Sequence, residues 1–78
     1  MKTDYERTKE FLDSLGILYG DNEDYQQHLN GVRKYIIFGN PSYGQDFPQC
    51  DKVEGYSGFF TAFNFDESGK FLTVGAWE

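Results

Sequence analysis

A cysteine and a histidine are the chain's strongest claim to covalent chemistry, and each occurs once, as Cys50 and His28. A thiol and an imidazole become nucleophile and base when they reach hydrogen-bond distance and a carboxylate orients the ring; Asp21, Asp24 or Asp51 would supply one. No strand-turn-helix pattern that would expose a nucleophile surrounds either residue. Cys50 therefore reads as a loop thiol and His28 as an exposed or capped histidine. Asp21, Asn22, Glu23, Asp24 and His28 gather oxygen donors around one imidazole. They lack the central glycine and terminal glutamate of a twelve-residue calcium loop, and one Cys with one His does not build a structural zinc site. This cluster reads as a solvated helix start.

Glu6 and Glu10 are four apart, a spacing that pairs carboxylates on one helix face. Glycosidase chemistry needs such groups across a cleft with divergent pKa values, whereas these fall on a polar helix surface. Gly39, Gly44, Gly55 and Gly58 have neither the spacing nor the terminal lysine of a phosphate loop. Arg33 and Lys34 beside Tyr35 are the one local argument for nucleic acid, and a formal net charge of −6 opposes a phosphate backbone. The expectation is a protein that is not an enzyme, with no cofactor and no metal, and without direct nucleic-acid binding.

The elements that position these residues follow from size and pattern. At 78 residues the chain is one small domain, 1–78, and such a chain buries only about 60% of the surface its unfolded form exposes. Aromatic residues make up 19%, which lets a small core remove much apolar area per residue. No apolar run reaches the ~18 residues of a membrane span, and the first residues lack the apolar core of a signal peptide. A single cysteine cannot form an intrachain disulfide, which favours a reducing compartment and a cytoplasmic location.

Tyr5, Thr8, Phe11, Leu12 and Leu15 make one apolar stripe on a helical repeat over about residues 4–15. Thr3 and Glu6 have capping-box spacing at its start and Gly16 stands at its end. Ile17 to Tyr19 suggest a short strand or an extended exit ended by Gly20, residues 21–31 a short helix or an ordered loop, and Val32 to Phe38 a strand rich in β-branched and aromatic residues. Residues 39–55 hold both prolines and three glycines and read as a long irregular loop, either pinned by Tyr43, Phe47 and Val53 or functional. Residues 56–78 form the clearest element, a hairpin turning at Glu67-Ser68-Gly69, with Asp66 against Lys70. That register sets Phe65 opposite Phe71, Phe63 opposite Thr73, Thr61 opposite Gly75 and Phe59 opposite Trp77. The fold class is α+β, a small antiparallel sheet of three or four strands packed on one N-terminal helix.

Both faces of this hairpin are apolar. The helix covers one, assigned to Phe59, Phe63, Phe65, Phe71 and Trp77. The other, with Phe60, Leu72 and Val74, needs the 39–55 loop, the 21–31 segment or another protein over it. The functional expectation is a protein–protein interaction module using this outer face, as a homodimer or with a different protein and not with a membrane. Its contact residues are Phe60, Leu72, Val74 and Tyr43, with Glu6, Glu10 and Asp13 as a polar rim. The alternative is an acidic inhibitor or nucleic-acid mimic in a basic groove, because residues 1–31 carry seven acidic groups against three basic ones.

The segment Lys52 to Glu78, with its Gly55-Tyr56-Ser57-Gly58-Phe59 entry, its Phe65-Asp66-Glu67 to Gly69-Lys70 turn and its Gly75-Ala76-Trp77-Glu78 end, resembles small uncharacterised phage or prophage proteins. That resemblance implies a bacterial host cytoplasm and action through a host or phage protein. It carries no catalytic residues over.

Overall fold

The computed structural model describes residues 1–25, 31–42 and 44–77. Helix α1 (Asp4–Leu15) is followed by strands β1 (Gly20–Asn22), β2 (Lys34–Gly39), β3 (Phe60–Phe65) and β4 (Phe71–Trp77). The strands pair antiparallel in chain order, and α1 packs on one face of the sheet they form. This is the expected α+β arrangement, with four strands.

The helix forms where its pattern places it because both ends are satisfied. Thr3 Oγ1 accepts the Glu6 N–H at 3.1 Å and the Glu6 carboxylate accepts the Thr3 N–H at 2.9 Å, the reciprocal pair of a capping box. The Thr3 hydrogen bonds hold the Glu6 carboxyl below its usual range. Gly16 takes the left-handed conformation with φ 74°, and the Ile17 N–H closes on the Leu12 carbonyl. Lys52 donates to the Leu15 carbonyl at 3.0 Å and so places a cation at the negative end of the helix dipole.

Tyr5, Leu12, Ile36 and Phe65 form the buried core, with Ile17, Tyr19, Phe38 and Phe63 around it. The Tyr5 ring meets Phe65 edge-on with centroids 5.2 Å apart. Its hydroxyl donates to Asp21 at 3.1 Å, and Lys9 reaches the same carboxylate at 3.0 Å. Burial, and then the charge of Asp21, push the Tyr5 phenol far above its ordinary pKa. These contacts fasten β1 to α1. Of the two readings of Ile17 to Tyr19, a short strand or an extended exit, the second holds: they lead extended into β1, and Ile17 and Tyr19 pack against the core. In the 21–31 segment, Asp21 and Asn22 belong to β1 and the Asn22 side chain closes a turn by accepting the Asp24 N–H at 2.8 Å; residues 26–30 lie outside the described residues.

The hairpin turns as expected, with the Asp66 N–H donating to the Lys70 carbonyl at 2.9 Å and Gly69 at φ 89°. Asp66 Oδ1 accepts the Ser68 hydroxyl and the backbone N–H groups of Ser68 and Lys70, which lowers its carboxyl pKa. Phe65 pairs with Phe71. Beyond them Leu72 is passed over, and Asn64 pairs with Thr73, Phe63 with Val74, Ala62 with Gly75, Thr61 with Ala76 and Phe60 with Trp77. The expected partners from Phe63 onward are therefore one residue out. The register shifts by one between Asn64 and Phe65, a bulge at Leu72. Beside it Asp4 Oδ2 accepts the Phe71 N–H at 3.0 Å, an amide that points away from β3 because Asp66 and Lys70 form the neighbouring hydrogen-bonded pair.

A one-residue slip exchanges faces. Val74 and Ala76 join Phe63 and Phe65 on the α1 side, while Trp77 lies with Phe60 and Ala62 on the outer side. The assignment of Val74 to the outer face and of Trp77 to the helix face is corrected accordingly. The turn also docks on the helix start: Tyr5 N–H donates to the Gly69 carbonyl at 2.9 Å, and a Cβ on Gly69 would fall 2.8 Å from Thr3 Cβ.

Candidate functional site

The outer face is positioned by alternation along three strands. Tyr35 and Ile37 of β2 stand opposite Asn64 and Ala62 of β3, which stand opposite Thr73 and Gly75 of β4. Tyr25 meets Tyr35 edge-on at 5.3 Å at one end of this face. At the other end the long loop returns, and Phe47 is buried against Phe60 at 5.6 Å and against Gly20. The loop thus covers only the Phe60 end. Between them lies a groove of about 540 Å³ lined by Val32, Tyr35, Ile37, Phe60, Leu72 and Trp77, among others.

Two polar pairs belong to the groove and its rim. Asn64 Nδ2 donates to Thr73 Oγ1 at 3.1 Å, and Asn22 Nδ2 to the Tyr35 hydroxyl at 3.4 Å. A wall of rings and aliphatic side chains with no charged residue among those described suits an apolar side chain better than a charged ligand.

Of the contact residues expected from sequence, Phe60 and Leu72 are brought together here. Val74 is on the opposite face, and Tyr43 lies outside the described residues. Glu6, Glu10 and Asp13 belong to α1, across the sheet, and do not form a rim to this groove. Glu6 serves the cap and Glu10 pairs with Lys2 at 2.6 Å. The residues missed were Ile37, Tyr35 and Trp77. The alternation of Tyr35 and Ile37 was a usable signal in the sequence, but Trp77 depended on the bulge.

Cys50 is buried, with its thiol against the Gly16 carbonyl at 3.8 Å. Backbone hydrogen bonds at Leu18 and Lys52 draw its pKa down. His28 lies outside the described residues, so their pairing is not part of the described geometry. Among the described residues no group of three or more His, Cys, Asp or Glu side chains converges to hold a metal. Asp21 is taken by Tyr5 and Lys9, and Asp24 lies 3.9 Å from Arg33.

A second cleft, of about 640 Å³, opens on the helix side between Asp4, Arg7, Thr8, Phe11, Phe63 and Phe71. Its charged groups, Asp4 and Arg7, pair with each other at 3.4 Å. No helix among the described residues is long and apolar enough to cross a membrane. Comparison with family models, with curated proteins and with solved structures finds no match to the chain.

Proposed function

We propose that this protein is a non-enzymatic protein-interaction module whose outer sheet face receives an apolar segment of a partner. The observation that carries the reading is the groove itself, walled mainly by apolar and aromatic side chains around the Asn64–Thr73 pair, with Leu72 and Trp77 exposed at its β4 side. Large apolar side chains left open beside a concave surface mark interaction sites. The alternative of an acidic mimic draws less support, because the helix acids expected to carry it are interleaved with Lys2, Arg7 and Lys9 and partly engaged in local contacts.

The test uses Trp77, the single tryptophan, as its reporter. Peptides selected from a random library on the wild-type protein are titrated while Trp77 emission is followed. Saturable changes are expected from peptides rich in apolar residues, with affinity at least about tenfold weaker for a folded Leu72→Asp variant and unchanged for Asp13→Ala. Equal affinity for wild type and Leu72→Asp, or a selection that yields no binder, would overturn the groove as the binding site.

A further inference from the structure

We propose that β4 pairs antiparallel with the β4 of a second copy of this chain, about a two-fold axis at Val74, to join two four-stranded sheets into one of eight strands. The inference rests on the reading of the protein as an interaction module and names its partner. It places that partner along the sheet edge that borders the groove.

The backbone supplies the first argument. Among the described residues β4 has β3 on one side and no strand on the other, so half of its amide and carbonyl groups face away from the sheet, and of these the Phe71 N–H is taken by Asp4. Proteins that stay monomeric blunt such an edge by making it short, charged, proline-bearing or covered. β4 runs seven residues, FLTVGAW, with no charge and no proline, in a chain that carries 13 acidic and 7 basic groups. Its bulge is confined to the Phe71 end, and Thr73 to Trp77 continue in regular register.

Symmetry supplies the second. A strand meeting itself antiparallel makes an isologous contact, in which each residue sees the same surface it presents. With Val74 on the axis, Val74 meets the partner's Val74 and Thr73 meets the partner's Gly75. No charged residue is placed opposite a like charge, although each copy carries −6. An axis normal to the sheet puts both helices on one side and both grooves on the other.

Area supplies the third. Phe71 is 42% exposed, Leu72 37%, Val74 53% and Trp77 57%. A fully covered ring buries ~150–250 Å², so at these exposures the two rings, Leu72, Val74 and the strand backbone offer roughly 300–400 Å² per copy, at the small end of weak interfaces. The dimer is accordingly expected to be concentration-dependent.

Sedimentation velocity from micromolar to millimolar protein tests the proposal, with wild type, Val74→Lys, Val74→Glu and an equimolar mixture of the two variants, each checked for folding by circular dichroism. The wild-type mass should rise from 9.0 kDa towards twice that value. Each variant alone should dimerise at least about tenfold more weakly, because the axis sets its new charge against an identical one. The mixture should recover the dimer as Lys meets Glu. A wild type that stays at one chain, one that grows past two chains, or a mixture no more dimeric than its components would overturn the proposal. The Trp77 titration repeated on monomeric Val74→Lys separates the two readings. Peptide binding without a wild-type dimer removes only the edge, whereas a rescued dimer without peptide binding removes only the groove.

Discussion

At one edge of the sheet β1 is three residues long, and its central side chain, Asp21, is held by both Tyr5 and Lys9 of the helix. At the other edge β4 is seven residues long, uncharged and exposed along nearly its whole length. The helix accounts for the difference, because its core residues lie against Ile36 and Phe65 while Val74, on the same face, remains open. One helix cannot cover four strands. With one helix among the described residues, apolar sheet is left open, and here the uncovered part coincides with an edge that no described strand pairs. The two edges therefore differ in kind: one is tied to the core and the other is available.

The largest effect that would test this contrast comes from the β1 side. Tyr5→Ala is expected to cost about 3–5 kcal/mol, since it opens a cavity beside Phe65 and unties Asp21, while Val74→Ala at dilute protein should stay within about 0.5 kcal/mol. Urea unfolding of both variants measures the difference. Comparable losses would mean that β4 contributes to the monomer core as much as β1 does. A smaller effect is expected at the bulge, where Asp4→Ala removes the acceptor of the Phe71 N–H. The cost should be about 1 kcal/mol, with nuclear Overhauser contacts showing whether the Phe63–Val74 pairing slides towards Phe63–Thr73. An unchanged register would show that the hairpin sets its own bulge.

The smallest effect is the acid limb. Glu6 and Asp66 both have carboxyls held below their ordinary range, by the Thr3 cap and by the hairpin turn. A depressed native pKa adds stability above the unfolded value of about 4 and loses it as pH falls through the native one. Stability is thus expected to be level down to about pH 5 and to decline below it. Glu6→Gln and Asp66→Asn should flatten that decline, as read from urea midpoints across the pH series. Both groups serve the β4 side of the molecule, so flattening would locate the acid sensitivity there.

Local rules made the helix and the hairpin turn legible. Thr3, Glu6 and Gly16 mark helix ends through contacts within a few residues, and Asp66 to Lys70 form a turn whose chemistry is entirely local. The register beyond Phe65 was not legible, because nothing in the residue types around Leu72 marks the bulge that shifts it. The groove followed the same division. Phe60 and Leu72 were visible as apolar hairpin residues, whereas Trp77 changed face with the bulge and Ile37 became part of the site only once β2 paired with β3. Phe47 was visible as a candidate pin for the loop, but nothing in its neighbours indicated which part of the sheet it would cover.

The bond from Phe71 to Asp4, with that from Tyr5 to Gly69, also has a consequence in time. The first helical turn is completed by contacts to residues as far as 67 positions further on, so it stays only partly satisfied until β4 has been made. Contacts this distant in sequence slow folding and couple its parts. The helix is expected to fray until the hairpin arrives and then to lock together with it, so that β4 licenses α1 to hold its shape.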